Sequence, residues 1–253
     1  MPDLAISFPV FAGFAACLAA GAFLRGLAGF GMALVAMPFL VILVPPADAV
    51  LAVLVVQITL TLIDLPECIG HADRRAVGLL TLAAFFGTPV GLLFISIVPL
   101  WLAQIVIGTI TAGAAAALFF RFSLGPRPGA VSTTAVGFFA GLFSGLAAAP
   151  GPPVVAYFLA REVPARTKRA SMIILFAILA VFALATAAFK GTLHLHVVLL
   201  GLFSAPLCAG GSALGAYFFR RGSETSYRNV ALLAMVCSAL FGIVLGMSAW
   251  LRL

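Results

Sequence analysis

Two apolar stretches of this chain are interrupted by glycine and proline at matching places, and that constrains its fold more than any other feature. The apolar runs span 4–24, 32–44, 47–63, 77–97, 102–120, 131–148, 152–160, 171–189, 197–219 and 230–251. A helix needs about 20 residues to cross ~30 Å of hydrocarbon. Six runs meet that length alone or nearly so. The pairs 4–24 with 32–44 and 131–148 with 152–160 differ, because the second piece of each is short. Gly26-Leu-Ala-Gly29-Phe-Gly31 separates the first pair, and Ala149-Pro150-Gly151-Pro152-Pro153 the second. Irregular backbone is costly in lipid and persists only where protein or a water-filled cavity surrounds it.

Composition excludes the alternatives to a membrane bundle. Hydrophobic residues make up 64% of the chain and charged residues 8%, against roughly 45–50% and about 25% in soluble domains. Too few charges exist to coat a water-soluble particle, so a cytosolic enzyme, a secreted domain and a disordered chain are ruled out. The continuous apolar runs lack the alternation of a transmembrane barrel. The net charge of +7 sits in short loops between spans, as the positive-inside bias requires, so no nucleic-acid partner is expected. Cys17, Cys208 and Cys237 lie in apolar runs, and no CxxC spacing exists. Asp3 precedes the first run without Lys or Arg, so that run is expected to be a mature helix rather than a signal peptide. The expected place is the cell inner (plasma) membrane, with the bilayer itself as partner.

The breaks belong to an internal repeat. Residues 26–40 align without a gap on residues 145–159, an offset of 119, and the same offset carries Val44-Pro45 onto Val163-Pro164. Gly87-x3-Gly91 resembles Gly211-x3-Gly215 with a few residues of drift. The loops holding most of the basic residues contain Arg74/Arg75, Arg121/Arg127, Arg161/Arg166/Lys168/Arg169 and Arg220/Arg221/Arg228. If each broken pair dips in and returns, all four loops share one face, leaving Lys190 and Arg252 opposite. If each pair crosses once, the charge divides almost evenly. The positive-inside rule prefers the first arrangement. The expectation is an all-α polytopic membrane protein, an inverted repeat of two halves. Each half has one broken or re-entrant hairpin plus three transmembrane helices. The first repeat covers 1–122 with its broken segment at 5–44. A loop follows at 123–130, and the second repeat covers 131–253 with its broken segment at 131–160. Ten spans would fit the loop charges equally; the short second arms favour re-entry and eight membrane segments.

Discontinuous helices at corresponding places of two inverted halves point to secondary transporters. A half-helix starting inside the membrane presents unpaired N–H groups and the positive end of its dipole, which suits an anion. The arms beginning near Met32 and Pro152 would both aim such ends at the midplane. Gly29, Gly31 and Gly151 let a ligand approach closely, and Pro152 suits a first helical turn. The expected substrate-binding set is Arg25, Gly26, Gly29, Gly31, Met32, Gln57, Ser144, Gly145, Pro150, Gly151 and Pro152. Arg25 reads either as a cation beside the anion or as a side chain reaching water or a carbonyl. Ser144 is its repeat counterpart. Gln57 serves substrate or interhelical bonding, while Thr59 and Thr61 bond back to their own helix. Asp64 and Glu67 are expected to be solvated or paired with Arg74/Arg75, a proton relay being the second reading. Asp48 is expected to cap a helix. His194 and His196 lack the neighbours of a metal site. The GxxxG pairs serve packing, within a protomer or in a homodimer.

The stretch Gly26-Leu-Ala-Gly-Phe-Gly…Pro38, its copy from Gly145 to Pro153 and the spacing of the spans resemble the sulfite exporter TauE/SafE family over nearly the whole chain. Relatives carry a fuller glycine cluster at both breaks, where this chain has Ala148, Ala149 and Pro150 in the second. The resemblance implies a permease for sulfite, sulfonates, sulfoacetate-like compounds or related small anions. No cofactor is expected. A membrane-embedded enzyme would need a nucleophile, acid/base pair or metal cluster, and the sequence holds no HExxH, GxSxG or Walker motif. An anion channel and a non-catalytic subunit of a larger complex are the alternatives.

Overall fold

The computed structural model describes residues 8–120, 129–221 and 224–251, which form ten α-helices and no strand. The expected loop 123–130 and the first residues of the 5–44 segment therefore fall largely outside the described residues. The first half comprises α1 (Phe8–Ala28), α2 (Met32–Leu43), α3 (Pro46–Cys68), α4 (Arg74–Ile97) and α5 (Leu100–Phe119). The second comprises α6 (Ala130–Ala147), α7 (Gly151–Ala160), α8 (Ala165–Phe189), α9 (Leu195–Arg221) and α10 (Glu224–Trp250). The ends of α1 and α6, the starts of α2 and α7, and the starts of α3 and α8 are each 119 residues apart. Eight of the ten helices are long and apolar enough to cross a membrane; α2, with 12 residues, and α7, with 10, are not. At about 1.5 Å per residue these arms measure roughly 18 and 15 Å, together about one bilayer.

Small residues set the packing. A Cβ on Gly13 would meet Leu43, and one on Gly21 would meet Met32 and Ala36. So α2 folds back antiparallel along α1 rather than continuing through. α4 packs on α6, and α9 on α1, each running parallel to its partner. Gly87 and Gly91 press on the backbone of Phe138 and Leu142; Gly211 and Gly215 press on that of Ala19 and Phe23. Both GxxxG pairs thus close contacts within the protomer, where the missing side chain lets backbones touch. Gly145 lies beside Thr88 and Leu92, and Gly26 beside Ser212 and Ala216, beyond the middle of α4 and α9. The breaks are buried, with Ala148 and Ala149 at 1% and 4% exposure, and follow on toward the C-terminal ends of α4 and α9.

α2 is held from both sides for a local chemical reason. Pro38 lies inside it and has no N–H, so the Leu34 carbonyl loses its helical donor. Thr111 of α5 shares its hydroxyl between its own Ile107 O at 2.9 Å and Leu34 O at 3.2 Å, and Ser238 of α10 donates to Val35 O at 2.7 Å. Beside α7, by contrast, an apolar cleft of about 700 Å³ opens between α5, α6 and α7, lined by Pro152, Pro153 and Ala156 among others.

The loops carry two further ties. Asp73 caps α4 by accepting from the Ala76 N–H at 3.0 Å, and its other oxygen meets Arg161 at 2.6 Å. Burial pushes the Asp73 carboxyl up, but the Ala76 N–H and the Arg161 guanidinium outweigh that and hold it below its ordinary value. Asp48 lies in the first turn of α3, whose N-cap is Pro45. The expected capping role is corrected: Asp48 faces His196 Nε2 at 3.6 Å, and its charge complements the helix dipole.

A cavity between the two helix breaks

The turn from α1 to α2 takes shape around two glycines in the left-handed region, Gly29 at φ 80° and Gly31 at φ 100°. The counterpart of Gly29 is Ala148, also left-handed at φ 52° and the one non-glycine residue of positive φ among those described. The same bond recurs at both places: Gly29 N–H donates to Arg25 O at 2.7 Å, and Ala148 N–H to Ser144 O at 2.9 Å. The copies diverge two residues later, where Pro150 at φ −66° stands opposite Gly31.

The two turns face each other across a buried cavity of about 20 Å³, room for about one water. Arg25, Gly29, Gly31, Met32, Gln57, Pro150 and Gly151 line it, seven of the expected residues. Phe30, Ala33, Leu34, Thr61, Ala148, Ala149, Ile173 and Phe176 complete the wall. Four expected residues are elsewhere. Gly26 and Gly145 are taken up by the backbone contacts with α9 and α4. Pro152 faces the lateral apolar cleft. Ser144 is fully buried with its hydroxyl unpartnered, outside the cavity wall.

The wall is polar on one side only. Gln57, Thr61 and Asp64 are spaced i, i+4, i+7 and form one stripe of α3. Thr61 donates to Gln57 O at 2.8 Å, and Thr59 to Val55 O at 3.0 Å, the expected back-bonding. Gln57 is 7% exposed and its Nε2 has no partner. At the same offset of 119 the second half places Phe176, Ala180 and Ala183. The first turn of α2 adds the N–H groups of Met32, Ala33 and Leu34, since the first i→i−4 bond there is Val35 N–H to Gly31 O at 3.2 Å. Proline at 152 and 153 removes two of the three equivalent donors from the opposing turn and leaves the Gly151 N–H.

Arg25 is 6% exposed and does not reach water. Its Nη2 lies 2.8 Å from Asp64 Oδ2, and its Nη1 donates to Ser212 Oγ at 3.3 Å. The expected pairing of Asp64 with Arg74 or Arg75 is corrected: both of those arginines are exposed, and Asp64 turns inward to Arg25. Arg169 of α8 approaches the same turn, its Cγ 3.1 Å from where a Cβ on Gly29 would stand. In the sequence Gln57 and Asp64 stand apart, and Thr61 reads only as a back-bonding hydroxyl. Their shared helical face was the signal that joins them. No group of three His, Cys, Asp or Glu residues suited to a metal occurs among the described residues. The arrangement is a small chamber with a cation, an amide and free backbone donors on one side and apolar groups on the other. It offers hydrogen-bond donors to an oxyanion.

Comparison with known proteins agrees. The family model for the sulfite exporter TauE/SafE matches residues 13–242. A protein of Cupriavidus necator strain H16 named "Probable sulfite/organosulfonate exporter TauE" is 26% identical over 247 residues, covering 95% of this chain and 93% of that protein. No solved structure matches. With eight helices of membrane-spanning length and a family match over nearly its whole length, this chain is a multi-pass membrane transporter, not an enzyme, and belongs to the sulfite exporter TauE/SafE family.

Proposed function

We propose that the protein is a secondary carrier for a small sulfur-containing anion, sulfite or a short organosulfonate, in the cell membrane. One observation carries this reading: Arg25, the unpartnered Gln57 amide and the free N–H groups of α2 converge on a buried cavity where both helix breaks meet. A sulfonate or sulfite group presents three oxygens to such donors, while Phe30, Ile173, Phe176 and Pro150 suit a short carbon substituent. In this reading Gly29, Gly31, Met32 and Gly151 shape the chamber, and Gly26, Gly145, Ser144 and Pro152 support its walls.

The halves 1–122 and 131–253 are read as an inverted repeat, each with a re-entrant hairpin entering from its own face. The equal spacing of helix boundaries, the antiparallel fold-back of α2 and the basic loops support this. The cavity is too small for an oxyanion, so loading requires one turn to withdraw. The α7 arm moves in our reading, because α2 is clamped by Thr111 and Ser238 and α6 is locked on α4, while α7 borders an open apolar cleft. Its displacement exposes the chamber to one face and its return closes it, while rocking of the two repeats opens the other face, as in alternating access.

The test is flux in proteoliposomes against sulfite, thiosulfate, sulfonates and isosteric carboxylates. Saturable uptake with acceleration by substrate on the far side is expected, with sulfonates ahead of carboxylates. Linear, unsaturated conductance would instead identify a channel. Topology is checked with single cysteines: His71→Cys should react with an impermeant reagent only from the cytoplasm, Lys190→Cys only from outside.

A further inference from the structure

We infer that Asp64 is a proton-coupling group, so that the protein carries one proton with each monovalent anion. The inference rests on the anion-carrier reading above. In the empty chamber Asp64 is the internal counterion of Arg25, at 2.8 Å, with the facing atoms of both sealed from solvent. Arg25 also lines the cavity, so an entering anion and the Asp64 carboxylate compete for one guanidinium.

The charge balance follows. With no substrate, Arg25 and Asp64 cancel each other, and the charges of Arg169 and Glu67 nearby are the same in both states. When a monoanion takes the guanidinium, Asp64 is left as a part-buried carboxylate without its ion-pair partner, which is costly. It then accepts one proton from water on a carboxylate oxygen. The loaded site holds Arg25⁺, the anion and a neutral carboxylic acid, again neutral. On release the proton leaves Asp64 and the ion pair reforms. The side chain of Asp64 is 29% exposed, which gives the proton a way in and out.

The surrounding groups allow this. From α1 comes Arg25; from α8, Arg169 lies within electrostatic reach of Arg25 and Cys68. On α3 itself Glu67 and Cys68 are neighbours. Arg74 and Arg75 of α4 are exposed, and α2 and α6 bring no ionisable side chain. Among the described side chains of α9, Ser212 binds Arg25, His196 faces Asp48, and Cys208 is a buried thiol. The second half repeats none of it: Ala183 stands at the Asp64 position and Ser144 at that of Arg25. One chamber therefore carries one coupling carboxylate.

The experiment uses radiolabelled methanesulfonate, a monoanion throughout the working pH range, with the full-length protein in proteoliposomes. An acid-outside gradient should accumulate it inside up to about tenfold per pH unit, the proton ratio itself. A potassium diffusion potential should drive none, because the coupled step moves no net charge. Asp64→Asn should lose gradient-driven accumulation, while added methanesulfonate raises its Tm more than that of the wild type by replacing the missing counterion. Glu67→Gln should still accumulate. Saturable exchange that ignores the pH gradient, or uptake driven by the membrane potential, overturns proton coupling alone. Absence of any saturable exchange overturns it together with the carrier reading. The wild-type measurements decide the matter even if the Asp64 variant does not insert.

Discussion

Replacing Gln57 with leucine should stabilise the empty protein and weaken its grip on the anion at the same time. Gln57 is buried on α3 and its Nε2 has no hydrogen-bond partner. A buried donor left unsatisfied costs about 1–3 kcal/mol. Leucine has similar bulk and no such donor, so Gln57→Leu should gain about 1 kcal/mol, or roughly 2–4 °C in Tm for a chain of this size. A hydrogen bond to a charged group contributes about 1.5–3 kcal/mol. Losing it should raise the half-saturating concentration of methanesulfonate roughly 10–150-fold, at about 1.4 kcal/mol per tenfold. The two readouts are thermal unfolding of purified protein in detergent and saturation of uptake in proteoliposomes. Gln104→Leu is the control: Gln104 is also buried with an unpartnered oxygen, but it does not line the cavity, so affinity should hold. If Gln57→Leu lowers Tm and leaves affinity intact, the amide is a structural group and the polar wall is misassigned.

Other perturbations test the scaffold. Gly91→Ala would place a Cβ 2.2 Å from Leu142 O, so α4 and α6 must part. A loss of about 2 kcal/mol or more is expected, whereas Gly78→Ala, with nothing within 4 Å, should gain up to about 1 kcal/mol; paired melting curves decide. Ala148→Gly should relieve a left-handed backbone that costs a residue with a Cβ about 1–2 kcal/mol, for a net gain of about 0.5 kcal/mol once the looser unfolded chain is counted. Gly29→Ala, at φ 80°, should move Tm the other way. Asp73→Asn keeps the cap on α4 but loses the charge facing Arg161. The pair is partly exposed, so the loss should be about 0.5 kcal/mol. Because the folded carboxyl is held below its ordinary value, that contribution is complete above about pH 4 and fades as pH falls through the folded pKa. Wild-type and variant melting curves should therefore converge in acid.

The architecture was legible because bilayer length and backbone satisfaction act locally. An apolar run near 20 residues has few folds open to it, and a Gly/Pro break shows in sequence whatever packs around it. Hence the helix breaks and the offset of 119 could be read directly, and the helix ends follow that offset, whereas only packing placed the GxxxG contacts within the protomer. The roles of individual site residues were less legible. Gly26 and Gly151 look alike as glycines, yet one fills a helix contact and the other lines the cavity. Only the neighbour across the gap distinguishes them.

From the sequence alone came the helical class, the two short arms and the polar positions Arg25, Gln57 and Asp64. Tertiary structure alone decided which groups meet. It brought Asp64 to Arg25 rather than to the adjacent Arg74 and Arg75, and carried Thr111 and Ser238 to the carbonyls beside Pro38. The reason is physical: hydrophobicity and helix periodicity are written within a few turns of chain, whereas a buried charge or an orphaned carbonyl takes its partner from whichever helix packing places beside it.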